Sequence, residues 1–191
     1  MNFLNLLKRD KYLFEDDIAN HNEELNEIVS KSSFLVIGGV GGHCIAVDPY
    51  FIISDYPMKS KIISTARELN NYKSFWCLEK IQNEKLKFEF KHGRKPITAL
   101  MGLAFKSNID DLRESPAKYI VQKVLQNSNN ETHYIVEPNI ESHSVYKLTD
   151  YKEAIAKADI IVFLVSHNEF KNLAISNEKI KLGFCRINKY N

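Results

Sequence analysis

The sequence lacks the features that mark most specialised classes of chain. It has three cysteines, Cys44, Cys77 and Cys185, an odd number with no CxxC spacing. That argues against a disulfide framework or a zinc ribbon and for a reducing compartment. The longest apolar stretch, Ile160 to Val165, is far too short to span a bilayer. The N-terminal segment MNFLNLLKRDKYLFEDD turns basic and then acidic without the apolar core of a signal peptide. These absences predict a soluble, cytoplasmic protein without a membrane partner. Charge of one sign is lacking too: 26 Lys+Arg stand against 24 Asp+Glu, and no run of four basic residues occurs, so a nucleic-acid partner is not expected. With 7 Gly and 5 Pro the chain is neither collagen-like nor a linker. His43, His133, His143 and His167 are scattered and share no helix face with a cysteine or carboxylate at ligand spacing, so no metal site is predicted.

What is present is the mixture of a globular protein: 191 residues, 44% hydrophobic and 26% charged. Residues 2 to about 30 read as helical, and SSFLVIGG reads as a buried strand running into a tight turn. A long helical pattern runs from about Lys59 to Phe90, with Ile62, Ile63, Ala66, Leu69, Trp76, Leu78, Ile81 and Leu86, and is closed by His92-Gly93. Such a helix cannot bury its apolar stripe against itself and needs a neighbouring domain or a second chain. Phe75 and Trp76 read as packing residues on it.

The remainder alternates by type. A strand from Ile97 to Leu103 leads to a helix opening at Ser115-Pro116, a serine N-cap before a first-turn proline. A strand from His133 to Val136 ends at Glu137-Pro138, a helix covers about Asp150 to Lys157, and an apolar strand covers Asp159 to Val165. Strand–helix alternation with right-handed crossovers predicts an α/β fold with a Rossmann-like parallel sheet. A further strand should stand in the tail SNEKIKLGFCRINKYN, whose weak periodicity shows none, so the sheet reads as incomplete.

Two stretches carry chemistry. In GGVGGHCIAVDPYF, Gly38 to Phe51, four glycines allow close approach of backbone to a ligand, Cys44 follows them, and Asp48 lies four residues further on. Cys44 is then either a nucleophile whose thiolate is favoured by backbone N–H groups or a small buried hydrophobe. The glycines do not complete GxGxxG, because Cys44 stands where a glycine is required, and Pro49 argues against a helix directly after them. The second stretch, GLAFKSNIDDLRESPA, Gly102 to Ala117, lies between a strand's carboxyl end and a helix, where open α/β sheets bind ligands. Lys106 and Arg113 are available there for phosphate; the alternative is a solvated loop with ordinary salt bridges.

These stretches, with TARELNNYK (Thr65 to Lys73) and ADIIVFLVSHNEF (Ala158 to Phe170), resemble the UDP-glucose/GDP-mannose dehydrogenase family, in particular its branch acting on UDP-N-acetyl-D-mannosamine. The resemblance covers roughly residues 39 to 182. It implies an NAD-dependent double oxidation of a nucleotide-sugar alcohol to a uronic acid for surface polysaccharide synthesis, through a cysteine thiohemiacetal and a thioester. By motif match Cys44 is the nucleophile and Asp48 its polar partner in hydrolysis. Gly39, Phe105 and Lys106 contact the UDP-sugar, and Arg113 reaches the NAD. The sequence HCIAVDP points to a UDP-N-acetylhexosamine substrate. The long helix matches the family's dimerisation helix, and the sheet its UDP-binding domain.

The resemblance therefore divides the chain into an N-terminal segment, residues 1–39, a cysteine loop with the long helix, 40–93, and a UDP-sugar-binding domain, 94–191, that reads as truncated at its C-terminus. The family's NAD-binding domain, and the lysine and asparagine that precede its cysteine motif, have no counterpart here. Residues 1–39 instead resemble the start of a nucleotide-sugar epimerase or dehydratase, which suggests a fused gene joined near Gly39-Val40-Gly41. Two functional expectations follow: a truncated or fused dehydrogenase with little activity alone, or an inactive UDP-sugar-binding and dimerising remnant. A cysteine hydrolase built on Cys44 is a further alternative.

Overall fold

Two helices lead into a four-stranded parallel sheet in the computed structural model, which describes residues 43–128 and 130–185. The expectations for residues 1–39, including Gly39 and the FLVIGG strand, lie outside the described residues. Helix α1 spans His43–Asp55 and runs through Pro49. The sequence reading, which has Pro49 interrupting a helix, is corrected here. An interior proline removes a helical hydrogen bond and costs about 3 kcal/mol or more. Beside the proline the helix meets the next one: the Tyr50 hydroxyl accepts from Asn71 Nδ2 at 3.1 Å, and the Arg67 guanidinium lies 5.3 Å from the Tyr50 ring centre.

Helix α2, Lys61–His92, is the long helix foreseen in the sequence. It ends where a left-handed residue is needed: Gly93 has φ 67°, and its N–H donates to the Glu89 carbonyl at 2.8 Å. Its buried apolar positions lie in its second half, against the sheet domain. Cys77, Ile81, Lys85 and Phe88 are buried, whereas Ile62, Leu69, Tyr72 and Phe75 are exposed. The expected stripe is thus split, and Cys77 and Lys85 take inward positions that apolar periodicity did not mark. Trp76 packs edge-on against Phe184 at 5.9 Å, as a packing residue should.

Strand β1, Thr98–Met101, is followed by helix α3, Pro116–Gln126, and then by β2, His133–Val136. Helix α4, Tyr151–Lys157, leads to β3, Ile160–Phe163, and a short 3-10 turn, Asn168–Phe170, precedes β4, Ile180–Gly183. Helix α3 starts where the sequence places its cap, Ser115 Oγ accepting from the Lys118 N–H at 3.2 Å, and α4 is capped by Asp150, whose Oδ1 accepts from the Lys152 and Glu153 N–H groups at 2.9 and 3.2 Å.

The strand order is β2-β1-β3-β4, all parallel, with Thr98 aligned on His133 and Ile160, and Ile160 on Ile180. Both faces are covered. Leu100, Ile160 and Val162 pack under α2 and α3, while Ala99, Met101, Ile161 and Phe163 pack with Ala154 and Ile155 of α4 and with Phe170. This explains why β1 and β3 read as continuous apolar runs. The fourth strand, which the tail did not reveal, is present. Its signal is weak because IKLG is a half-buried strand bonded to β3 alone, with Lys181 in its middle and Gly183 at its end.

Candidate functional site

The chain leaves β1 towards β2 on one side of the sheet and returns with β3 on the other. The topological switch point, where an open α/β sheet forms its ligand crevice, therefore lies at the carboxyl ends of β1 and β3. The loop from Gly102 to Ser115 starts there. Gly102 has φ +97°, and a Cβ on it would stand 2.6 Å from Val165 Cβ. Only glycine lets β1 and β3 come this close while the chain turns.

The loop's first turn is held by a buried carboxylate at the end of β2. Glu137 Oε2 accepts from the Leu103 and Ala104 N–H groups at 2.7 and 2.9 Å. His167, beyond β3, places its Nε2 3.2 Å from the same oxygen, and both side chains are fully buried. The Asn108 N–H donates to His167 Nδ1 at 3.0 Å, so Nδ1 is bare and the proton sits on Nε2, which donates to Glu137. Asn139 closes the cluster: its Nδ2 lies 2.8 Å from His167 Nδ1, and its N–H and Nδ2 donate to Glu137 Oε1 at 3.1 and 3.3 Å. Asn108, at φ 60°, accepts the Asn168 N–H on its Oδ1 at 2.8 Å. Burial alone would raise the Glu137 carboxyl, but the His167 hydrogen bond and those from the Leu103 and Asn139 backbone bring it down to about 2.

This frame carries the residues singled out in the sequence. Phe105 is half-buried and donates its N–H to the Asp111 carbonyl at 3.2 Å. Lys106 is exposed. Arg113 is exposed and bidentate with Asp111, Nη2 to Oδ2 at 2.7 Å and Nε to Oδ1 at 3.0 Å, an arrangement that stabilises its charge. Asp111 thereby joins the Phe105 backbone to the Arg113 side chain. Cys44 stands in the first turn of α1, and Asp48 one turn later. Gly39 lies outside the described residues.

A cleft of about 660 Å³ opens between α1, α2, the loop and the start of α3, lined among others by Arg67, Phe75, Arg113, Lys118 and Tyr119. Of the sequence-predicted residues, Arg113 lines it; Phe105 and Lys106 do not. A dinucleotide cradle needs glycines where a strand turns into a helix. Here the one glycine between β1 and α3 is filled from behind by Val165. The described residues thus offer the cations of the cleft, Arg67, Arg113 and Lys118, but no cradle for the whole cofactor. No group of three or more metal-ligating side chains occurs among them, and none of their helices is long and apolar enough to cross a membrane. Cys77 and Cys185 are unpaired, and burial pushes their thiols up to about 11 and about 12, which makes both poor nucleophiles.

The sequence reading missed the Glu137–His167 cluster. Glu137-Pro138 served only as a strand end and His167 only as a scattered histidine. The available signal was positional: both follow directly on apolar strands, so parallel pairing brings them to the same end of the sheet.

Comparison with known proteins agrees with this geometry. Residues 99–183 match the model of the UDP-glucose/GDP-mannose dehydrogenase family, UDP binding domain. The chain is 45% identical over 143 residues to the UDP-N-acetyl-D-mannosamine dehydrogenase of Escherichia coli K12, covering 70% of this chain and 33% of that protein. It is 42% identical over 139 residues to the NDP-N-acetyl-D-galactosaminuronic acid dehydrogenase of Ralstonia nicotianae, covering 71% of this chain and 31% of the relative. Among solved structures, the UDP-N-acetyl-mannosamine dehydrogenase of S. aureus superposes with a TM-score of 0.58 at 27% identity, over 87% of this chain and 45% of that one. The matched region spans about a third of the length of these curated relatives. The chain belongs to the UDP-glucose/GDP-mannose dehydrogenase family, whose UDP-binding domain it carries at residues 99–183.

Proposed function

We propose that the sheet domain holds the uridine diphosphate of a UDP-N-acetylhexosamine, in the service of the family's NAD-dependent oxidation of that sugar to its uronic acid. The observation that carries this reading is the loop at the switch point: Phe105 and Lys106 sit on a backbone fixed from behind by Glu137 and His167. A pre-shaped loop binds without first being ordered. Lys106, exposed and in no ion pair with another described residue, supplies the cation for a phosphate. Phe105 supplies an apolar contact beside it. Gly39 belongs to the same substrate contact, and Arg113, oriented by Asp111, is the chain's contact to NAD.

Cys44 is the proposed nucleophile towards the sugar aldehyde and Asp48 the polar group that assists hydrolysis; the two stand four residues apart in α1. Oxidation of the alcohol to the acid removes two hydrides, and NAD supplies the acceptor in this family. Residues 40–93 act as the cysteine segment and long helix, 94–191 as the nucleotide-sugar domain. The apolar positions Ile62, Leu69, Tyr72 and Phe75, exposed on α2, suit pairing of two copies along this helix. Unpaired Cys77 and Cys185 suit the cytoplasm.

Isothermal titration of the chain with UDP-N-acetylmannosamine and with UDP tests the reading. Saturable one-site binding, weakened about tenfold by Lys106→Ala, is expected from the loss of one charge-assisted contact. A folded sample that binds neither ligand contradicts it.

A further inference from the structure

We infer that Glu137 and His167 are positioning residues: together they set the backbone of residues 103–108 in the form that receives the nucleotide, and they do so only with His167 in its neutral Nε2–H form. The inference rests on the uridine diphosphate reading above. Neither side chain reaches solvent, so neither touches a ligand. Each acts through the loop, from a different strand: Glu137 from the end of β2 onto Leu103 and Ala104, His167 from beyond β3 onto Asn108. The two anchors bracket Phe105 and Lys106. Between them the loop makes one further backbone bond, from Phe105 N–H to the Asp111 carbonyl at 3.2 Å.

The cluster has one consistent arrangement of protons. Glu137 Oε2 takes three donors, the two loop N–H groups and His167 Nε2–H. Nδ1 is shared by two donors, the Asn108 N–H and the Asn139 amide. A proton on Nδ1 would face both of them and would break the contact that holds Asn108. Moving the proton from Nε2 to Nδ1 would break it as well and would leave Glu137 without its imidazole donor. The loop shape is therefore tied to a single tautomer. Leu103 and Ala104 have lost their water and have the carboxylate as partner, so removing Glu137 leaves two buried donors unpaired.

The test is made on the full chain. Nitrogen-15 spectra at neutral pH should show His167 with a protonated Nε2 and a bare Nδ1, and the Leu103 and Ala104 amides should exchange slowly. Titration with UDP should then show binding weakened about tenfold to a hundredfold by His167→Ala, and less by His167→Gln, whose amide can donate to Glu137. Val124→Ala, far along α3 in the core, serves as a control of comparable stability loss and should bind UDP as the unchanged chain does. Three results overturn the inference while leaving the uridine diphosphate reading intact. One is UDP binding by folded His167→Ala as tight as that of the unchanged chain. Another is equal weakening by Val124→Ala, and the third is a His167 protonated on Nδ1. Absence of UDP binding by the unchanged, folded chain overturns the uridine diphosphate reading and this inference with it.

Discussion

Two glutamate–histidine pairs stand at opposite ends of the sheet, one fully buried and one partly exposed, and they do different things. At the carboxyl end, Glu137 binds backbone N–H groups and the neutral His167, so its negative charge is spread over a loop. At the amino end, Glu131 lies in contact with Lys85 of α2, and 3.4 Å from His133 Nε2, with Lys95 at 3.9 Å. Lys85, 3% exposed, also donates to Ser128 Oγ at 3.3 Å. The first pair fixes a loop that must meet a ligand; the second clamps a long helix to the sheet. A buried carboxylate is thus no sign of function by itself. What it binds, and at which end of a parallel sheet, decides how it is read.

The difference can be broken most forcefully at Gly102. Gly102→Ala meets both a positive φ and a Cβ contact at 2.6 Å, and we expect a loss of about 3–5 kcal/mol in urea unfolding. Because the clash is with Val165 Cβ itself, adding Val165→Ala should not relieve it. Relief by that second change would show the loop to be looser than described.

Acid should then separate the groups at the two ends. Glu137 is held down at about 2, so its contribution is complete above the ordinary carboxylate value and is lost as pH falls from about 4.5 towards 2. His133 acts earlier. Burial and then Lys85 lower its pKa, against the opposing pull of Glu131, so the folded state disfavours its charged form. Stability should begin to fall as pH drops below the histidine value of 6.5. Denaturant titrations across pH 7 to 3 should show both slopes. His133→Gln should flatten the upper one and Glu137→Gln the lower.

Lys85→Met sharpens the contrast further. It removes the lysine packed against Glu131, leaving Lys95, His133 and Ser128 beside the carboxylate, and should cost roughly 2–3 kcal/mol, most of which a second change, Glu131→Leu, restores. UDP affinity should stay unchanged in both. If Lys85→Met weakens UDP as much as His167→Ala, the two ends are not separate devices. The smallest effect belongs to the exposed Arg94–Asp159 pair, at 2.7 Å: Arg94→Ala should lower the melting temperature slightly, and added salt should erase most of the difference.

Much of this fold was legible in the sequence because its signals are local. Ser115-Pro116 caps α3, Gly93 ends α2, and apolar runs bounded by polar turns give β1 and β3. The misses share a cause: tertiary contact overrode a local rule. Helix α1 continues through Pro49, with Tyr50 next to it docked on α2. Strand β4 forms from a sequence with weak periodicity because β3 offers it a hydrogen-bonding edge. Lys85 turns inward because Glu131, distant in sequence, meets it there. The candidate site divides in the same way. Phe105, Lys106 and Arg113 stood out because they share one short motif. Glu137 and His167 lie about thirty residues apart and are joined only by parallel pairing of β1 with β2 and β3.

The central claim, that the carboxyl-end loop is where the nucleotide binds, is tested most directly by following amide shifts of the labelled chain during titration with UDP. The account predicts saturable shifts concentrated at residues 102–108, with smaller ones at 137–139 and 167–168. Shifts confined to the first half of α2 and the start of α3, with the loop unmoved, would contradict it.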